Sequence, residues 1–216
     1  MTPNHHPSEA TLVAYVAGAL GEGLSLVVAS HLAFCAACRD AVASGELIGG
    51  SLLDSLAPET VAVATRERVL ERLATADDWK PSRARALDPA LPAPLARYLD
   101  RDLAAVPWRP LGPGLRQFVM LPASRTRANL RLLRIAPGRR LPRHGHVGTE
   151  LTLVLKGSYT DELGQFVRGD VAETDSTIVH EPVSDRDEDC ICLIATEGLL
   201  KFESAIARIV QRFTRM

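Results

Sequence analysis

The motif His31-Leu-Ala-Phe-Cys35-Ala-Ala-Cys38 constrains the N-terminal part of the chain more than any other stretch. If the stretch is one continuous helix, steps of four and seven residues bring His31, Cys35 and Cys38 back to the same face. Two thiolates and an imidazole form a soft donor set that suits zinc, and a closed structural zinc site has four ligands. The motif therefore predicts a structural zinc site whose fourth ligand comes from elsewhere in the chain.

The candidates for the fourth ligand are His5 and His6, close to the N-terminus. Ser8 is suited to cap a first helix, and Gly21-Glu22-Gly23 predicts a short connection to a second helix that ends near Val42. An antiparallel helix pair carries the residues before the first helix toward the end of the second, where the cysteines lie. We favour His6, because a rigid proline follows it directly, although His5 differs only in register.

Apolar periodicity predicts three helices in this part of the chain, over residues 8–20, 25–42 and 58–74. A helical unit of fewer than about 80 residues buries little core, so a metal clamp contributing on the order of 10 kcal/mol has a clear role. We therefore expect residues 1–80 to form a zinc-binding helical domain. The alternative is that the histidine packs against a helix and the cysteines are small core residues.

The character of the chain changes after residue 80. Residues 81–104 are rich in proline and predict a linker that contains a short helix, and residues 105–216 predict an all-β domain closed by a C-terminal helix. Glycine and proline separate most of the predicted strands, as in a sandwich or barrel. The strands are expected at 115–121, 129–135, 150–156, 165–168 and 190–196, and the C-terminal helix at 204–213.

A second histidine cluster lies in the β domain. Gly138, His144, His146, Glu150 and Gly157 have the spacing Gly-x5-His-x-His-x3-Glu-x6-Gly, which resembles the first motif of the cupin superfamily at every defined position. On an extended strand the two histidines share a face, and the glutamate can return to them across a turn. This resemblance implies a cupin β-barrel with a metal at its mouth.

The second cupin motif is expected to supply one more histidine, and Gly169-Asp170 followed by His180 has its spacing. Asp175-Ser176-Thr177 stands where the family has Pro-x-Gly, and Ser184 replaces the family's later asparagine. The resemblance predicts a metal site with His144, His146, Glu150 and His180 as ligands. The alternative is a cupin without a metal, whose histidines line an empty cavity.

Cys190 and Cys192 are two residues apart on a predicted strand, so they share one of its faces. Small core residues are the usual interpretation of such cysteines. A redox-active pair is the more specific hypothesis. Adjacent positions on one face of a strand have poor geometry for a disulfide between the two cysteines.

The combination of both units resembles the zinc-dependent anti-sigma factors, specifically the cupin-bearing ChrR type. The resemblance rests on His6 with the His31-Cys35-Cys38 motif, on the four cupin ligands, and on the paired cysteines. It implies a non-enzymatic regulator that holds two zinc ions and binds an extracytoplasmic-function sigma factor in a one-to-one complex. It further implies release of that factor on oxidative stress, by singlet oxygen or organic hydroperoxide, through the cupin. Because cupin barrels often pair through their sheet edges, the resemblance also allows self-association through the cupin.

Other function classes have less support in the sequence. A formal net charge of −1 argues against direct binding to nucleic acid, and the sequence has neither a signal peptide pattern nor an apolar run long enough for a bilayer, so we expect a cytoplasmic protein. The main alternative is a metal-dependent cupin oxygenase with iron or manganese at the same ligand set and an accessory helical domain. A DNA-binding regulator that senses a small molecule is weaker, because no recognition helix is evident.

Overall fold

The computed structural model describes residues 2–75, 91–99, 101–121, 129–198 and 201–202. The helices within these residues are α1 (Glu9–Val16), α2 (Glu22–Leu32), α3 (Ala36–Asp54), α4 (Val63–Ala74) and α5 (Ala93–Leu99), followed by a 3-10 helix at Leu103–Ala105. The strands are β1 (Arg109–Gly112), β2 (Leu115–Leu121), β3 (Asn129–Ile135), β4 (His144–Gly145), β5 (Glu150–Lys156), β6 (Ser158–Asp161), β7 (Gly164–Val167), β8 (Val171–Thr174), β9 (Val179–His180), β10 (Val183–Ser184), β11 (Cys190–Thr196) and β12 (Lys201–Phe202).

The first helix is shorter than its apolar pattern predicts. Ser8 caps α1 by accepting a hydrogen bond from the backbone N–H of Thr11, as expected. The helix ends at Val16, because Gly18 adopts a left-handed conformation with φ 66° and stops it. The Gly-Glu-Gly run expected to separate the helices instead lies at the start of α2, which begins at Glu22.

The prediction of one continuous helix through the zinc motif is wrong. The chain breaks after Leu32, and Cys35 takes an extended conformation (φ −110°, ψ 113°) as the N-terminal cap of α3. The Sγ of Cys35 accepts from the backbone N–H of Cys38 at 3.4 Å, so the thiol satisfies a free donor of the new helix. The Cys-x-x-Cys pair therefore stands at a helix start.

Helix α3 continues to Asp54, past Val42, where the second helix was expected to end. It therefore includes Gly45, Gly49 and Gly50. At Gly45 an added Cβ would lie 3.1 Å from the Cγ2 of Val16, so this glycine allows α1 to pack closely across α3. Beyond this contact the second half of α3 protrudes from the body of the protein. Its apolar side chains are exposed, and so are those of α4, which has no buried residue, and of the segment between the two helices. These exposed side chains are Leu47, Ile48, Leu52 and Leu53 in α3, Leu56 and Val61 in the connecting segment, and Val63, Val69, Leu70 and Leu73 in α4.

The β domain is a cupin-like sandwich, and the five predicted strands are confirmed with shifts of at most one residue. One sheet has six strands in the order β1-β2-β3-β11-β5-β8, and two three-stranded sheets have the orders β10-β6-β7 and β12-β4-β9. The pairing within each sheet is antiparallel. Side chains on one face of the large sheet point into the sandwich, and those on the other face are covered by helix α2.

Helix α2 joins the two predicted domains through a shared core. Leu24, Val27 and Val28 recur at helical spacing and are almost completely buried against β5 and β11. On the sheet side the cluster contains Leu130, Leu132, Leu151, Leu153, Leu155 and Leu193. Helix α5 adds the fully buried Leu95, so this part of the predicted linker segment belongs to the core.

The two departures from the cupin pattern have structural replacements. The carboxylate of Asp175 accepts from the backbone N–H and the hydroxyl of Thr177, which closes the turn that a Pro-x-Gly would form. The Ser184 hydroxyl donates to the carbonyl of Ala136 and accepts from the backbone N–H of Arg139. The histidine between these positions, His180, therefore keeps its place on β9.

The predicted helix at 204–213 lies outside the described residues. Within the described part of the chain, no helix combines the length and apolarity needed to span a bilayer. Helix α4 starts at Val63, five residues later than predicted, after the β-branched pair Thr60-Val61.

Candidate metal centres

The first candidate centre brings together His6, His31, Cys35 and Cys38, although the continuous helix on which that prediction rested is absent. One ligand atom from each lies within 4.8 Å of all the others. His31 is at the end of α2, the cysteines are at the start of α3, and the extended residues before α1 carry His6 alongside them. His5, the alternative ligand, is outside this group.

The distances within this centre match those of ligands around one zinc ion. Zn–S bonds of 2.3 Å and Zn–N bonds of 2.0–2.1 Å in a tetrahedron place sulfur and nitrogen ligands about 3.5 Å apart. The observed separations are 3.3 Å from His31 Nε2 to Cys38 Sγ, 3.4 Å from His6 Nδ1 to Cys35 Sγ, and 3.5 Å from His6 Nδ1 to Cys38 Sγ. The residues present therefore fit a structural zinc ion.

Electrostatics at this centre oppose a negative charge on the Cys38 thiol. Burial, with the hydrogen bond and charge of Cys35, raises the pKa of Cys38 to about 12. Burial also lowers the pKa of His31 below its ordinary value, against the hydrogen bond to a backbone carbonyl. A bound divalent cation reverses this preference, because it stabilises thiolates directly. The centre is built for a cation rather than for free ionised thiols.

The cupin domain supplies the surroundings of this N-terminal centre. His31 Nδ1 lies 2.8 Å from the carbonyl oxygen of Gly169, which leaves Nε2 to face the sulfurs. His5 turns away from the cluster, with its Nδ1 3.2 Å from the Asp170 carboxylate. The structure thus separates the two neighbouring histidines into a candidate ligand and an anchor.

The second candidate centre brings together His144, His146 and His180, all buried, with ligand atoms within 4.8 Å of one another. His144 and His180 are directly paired across β4 and β9. The Nε2 atoms of His146 and His180 are 3.1 Å apart, close to the roughly 3.3 Å between two imidazole nitrogens on a tetrahedral zinc ion. These three side chains fit a metal ion.

The fourth predicted cupin ligand, Glu150, is placed differently. Its Oε2 lies 3.2 Å from His146 Nδ1, and its other oxygen accepts from Thr152. Its carboxylate is not among the atoms that converge within 4.8 Å. In this structure Glu150 holds the nitrogen of His146 that faces away from His180.

Supporting groups fix the other two rings of this centre. His180 Nδ1 donates to the buried carboxylate of Asp161 at 2.8 Å, and His144 Nδ1 lies 2.7 Å from the carbonyl oxygen of Pro142. Burial lowers the pKa of His144 to about 4, against the opposing charge of Glu150. Burial alone would raise the pKa of Glu150, but its hydrogen bond to His146 and the charges of the neighbouring histidines lower it. The lowered pKa of His144 favours its neutral imidazole, which is the form that binds a metal.

Cys190 and Cys192 point into the cupin interior, where their Sγ atoms are 3.6 Å apart in the free form. They pack with Tyr159, Phe166 and Val154. The hydrogen bond with Cys190, together with burial and the negative charge of Glu150, raises the pKa of Cys192 well above its ordinary value. Cys192 is therefore held as a thiol.

Sequence reasoning missed the acidic residues that support both centres. Asp161 and Asp170 are buried carboxylates, and each contacts a histidine distant in sequence or on another element. A third missed residue is Arg131, a buried guanidinium that donates to Gln117. Its pKa is lowered to about 10 by burial, against the charge of Glu150. Asp170 alone carried a signal, because it belongs to the second cupin motif.

Known proteins resemble this chain over its whole length. The anti-sigma-E factor ChrR of Cereibacter sphaeroides is 44% identical over all 216 residues, which is 100% of both chains. The chain belongs to the ChrR family of anti-sigma factors. The family model described as the ChrR cupin-like domain matches residues 100–199, which contain the three clustered histidines.

A solved structure of the same family supports the architecture. The crystal structure of Rhodobacter sphaeroides SigE in complex with the anti-sigma ChrR aligns with a TM-score of 0.78 and 44% identity, covering 90% of this chain and 99% of that one. A cupin protein of Ralstonia eutropha aligns with a TM-score of 0.43 and 23% identity over 49% of this chain and 71% of its own. The ChrR-family match therefore extends over both the helices and the cupin.

Proposed function

We propose that this protein is an anti-sigma factor that binds an extracytoplasmic-function sigma factor in a one-to-one complex and keeps it from RNA polymerase. The observation that carries the proposal is similarity over the full length to an anti-sigma-E factor ChrR, together with similarity to the ChrR chain of a crystal structure with SigE. The oxygenase alternative has less support, because the relative that matches the whole chain is a regulator.

The surface proposed for the sigma factor consists of exposed apolar side chains on the second half of α3, on α4 and on the segment that connects them. We call this the α3–α4 surface; it consists of the ten exposed apolar residues between Leu47 and Leu73 named above. Leu47 is 77% exposed and Leu53 is 68% exposed, which is unusual for contiguous large aliphatic side chains on one protrusion. Helices of this kind bind by laying apolar side chains into a groove of the partner.

Zinc at His6, His31, Cys35 and Cys38 is proposed to fix the start of α3 against α2 and the N-terminal segment. A closed four-ligand zinc ion supplies binding free energy and geometry rather than reactivity. Because the direction of α3 is set at Cys35, the orientation of the protruding α3–α4 surface depends on this joint. Loss of the ligands should therefore weaken sigma binding without any change to the surface itself.

The cupin is proposed to be the element that responds to oxidative stress, with singlet oxygen or organic hydroperoxide as the inducer. Its chemistry would lie at the cluster His144, His146 and His180, completed by Glu150, and at the neighbouring thiols Cys190 and Cys192. A zinc ion cannot change oxidation state, so in a zinc-loaded cupin the oxidation would fall on side chains, and the sulfurs of Cys190 and Cys192 are the proposed targets. With iron or manganese the metal itself becomes the reactive group.

In vitro transcription tests this division of labour, with polymerase core, R. sphaeroides SigE and the full chain. We expect the wild-type protein and the His144→Ala variant to repress equally, and Cys35→Ser with Cys38→Ser to lose repression. In cells, His144→Ala should leave repression intact and block induction by singlet oxygen. If His144→Ala alone abolished sigma binding, the cupin would be part of the inhibitor rather than its sensor.

A further inference from the structure

The turn between β7 and β8, Gly169-Asp170, is shared by the cupin sheet and the N-terminal centre. The carbonyl oxygen of Gly169 is 2.8 Å from Nδ1 of His31, on the far side of the ring from the sulfurs. Both turn residues are part of the sheet as well, since Gly169 N–H donates to the carbonyl of Val154 at 2.8 Å and Val154 N–H donates to that of Asp170 at 3.1 Å. One turn therefore touches a candidate zinc ligand and the central strand β5.

The Asp170 side chain holds the segment that carries the other candidate ligand, His6. Its Oδ1 accepts from the backbone N–H groups of Asn4 at 2.7 Å and His5 at 3.2 Å, and its Oδ2 lies 3.2 Å from His5 Nδ1. The carboxylate is completely buried, and Val167 N–H also donates to it. These hydrogen bonds outweigh the effect of burial and keep the pKa of Asp170 below its ordinary value.

The packing around the turn leaves little room for independent movement. Gly169 has φ 96°, and an added Cβ would lie 3.1 Å from Pro3 and 3.2 Å from Phe34. The N–H of the following residue, Val171, donates to the carbonyl of His5 at 3.1 Å, so the N-terminal segment continues the pairing of β8. The turn and the residues before α1 therefore shift together.

The sheet side of the turn leads directly to the cupin interior. Val154 is fully buried and lies opposite Cys192 on β11, where the register of the two strands shifts by one residue. It also packs in the same cluster as that cysteine. A change in packing at this point reaches the turn through two backbone hydrogen bonds and no intervening side chain.

We propose that the Gly169-Asp170 turn is a positioning element for the N-terminal zinc site, and that it makes zinc retention there depend on the packing of the cupin sheet at Val154. The inference rests on the proposed zinc site. Demonstrating coupling requires a shared element that both ends affect, and the turn supplies such an element.

The test is the rate of zinc transfer from the full-length protein to a chromogenic chelator. The kinetic phase of zinc release that is present in the wild type and missing from the Cys35→Ser, Cys38→Ser variant is assigned to the N-terminal site. Asp170→Ala removes the buried acceptor of the His5 segment and should raise the rate of this phase about tenfold, with Asp170→Asn intermediate. With Co²⁺ in place of zinc, the thiolate absorption of Asp170→Asn should shift, because ligand geometry changes.

Glu173→Gln is the matched control for the carboxylate. Glu173 lies on the next strand and accepts from Ser8 and Thr11, so it anchors α1 to the cupin without touching the His5 segment. We expect its zinc release to stay within about twofold of wild type. Equal rates for Asp170→Asn, Glu173→Gln and wild type would overturn the positioning role.

A second pair of variants tests the link to the sheet. Val154→Ala removes two buried methyl groups but keeps the backbone hydrogen bonds to the turn. Val106→Ala makes the same change at a buried position in the other hydrophobic cluster. We expect Val154→Ala, but not Val106→Ala, to release zinc faster than the wild type. Equal effects of the two would refute the link. If the double cysteine variant kept the wild-type zinc content, the proposed zinc site itself would fail instead.

Discussion

Two leucines on the α3–α4 surface provide a quantitative test of sigma binding. Leu52 and Leu56 are 65% and 66% exposed, so replacing both with glutamine removes apolar area that folding has not buried. Full burial of a leucine side chain contributes about 1.5–3 kcal/mol, so covering the exposed two-thirds of each contributes roughly 1–2 kcal/mol. Together the two changes should weaken the complex by about 3 kcal/mol, roughly a hundredfold in Kd.

The assay is calorimetric titration of SigE with the full-length protein, in parallel with thermal unfolding of the free variant. Because neither leucine is buried, the unfolding temperature should be unchanged. Leu52 lies in α3, where glutamine keeps the helix propensity, and Leu56 lies just after the end of that helix. Leu163→Gln, a partly exposed leucine at the β6–β7 turn of the cupin, is the control and should bind as wild type. A Kd within about threefold of wild type for the double variant would refute the assignment of this surface.

Three further variants test the fold and the first centre. Cys35→Ser with Cys38→Ser removes a metal whose binding contributes on the order of 10 kcal/mol in small zinc domains. Calorimetry should therefore show that a thermal transition is lost or moves to a much lower temperature. An unchanged calorimetric trace would contradict a stabilising role of zinc. Gly157→Ala puts a Cβ 2.6 Å from the Asp189 carbonyl oxygen at φ 68°, and should cost about 2 kcal/mol or more in urea unfolding; a smaller loss would mean that the turn relaxes. Leu24→Ala, at the interface of α2 with the large sheet, should lower the free energy of unfolding by about 3 kcal/mol. A single unfolding transition whose free energy falls by less than half of this amount would argue against a shared core.

The strands of the cupin could be predicted because their signals are local. Segments such as 129–135 and 190–196 are short apolar runs, most of them bounded by glycine, proline or polar turns, and their bounds agree with the observed strands. The histidines of the second centre followed from spacing, since alternate strand residues share a face and a turn at Gly148, with φ 76°, permits the chain to return.

The geometry around Cys35 could not be predicted in the same way. No glycine or proline marks the break between α2 and α3, so helical periodicity carried straight through it. The available signal was the Cys-x-x-Cys pair itself, because a sulfur can cap a helix start as oxygen does. Gly45 was misleading for a different reason, since it reflects the close approach of Val16 rather than a helix end.

Contacts between distant residues were the least predictable part. The stripe Leu24, Val27 and Val28 indicates a buried helix face, but the sequence does not indicate that its partner is the cupin sheet. In the same way, Asp170 is one acidic residue among 26 acidic side chains, and only the fold brings it to His5. Long-range pairing of this kind depends on the tertiary arrangement and leaves no periodic trace in the sequence.

Metal analysis of the purified complex is the most direct test of a zinc-clamped anti-sigma factor. The full-length protein would be mixed with SigE, separated by size, and its zinc counted against protein in the complex peak. We expect the wild-type protein to form a one-to-one complex. The Cys35→Ser, Cys38→Ser variant should hold one zinc equivalent fewer and should form no complex. A stable complex formed by that variant, or an unchanged zinc content, would contradict this prediction.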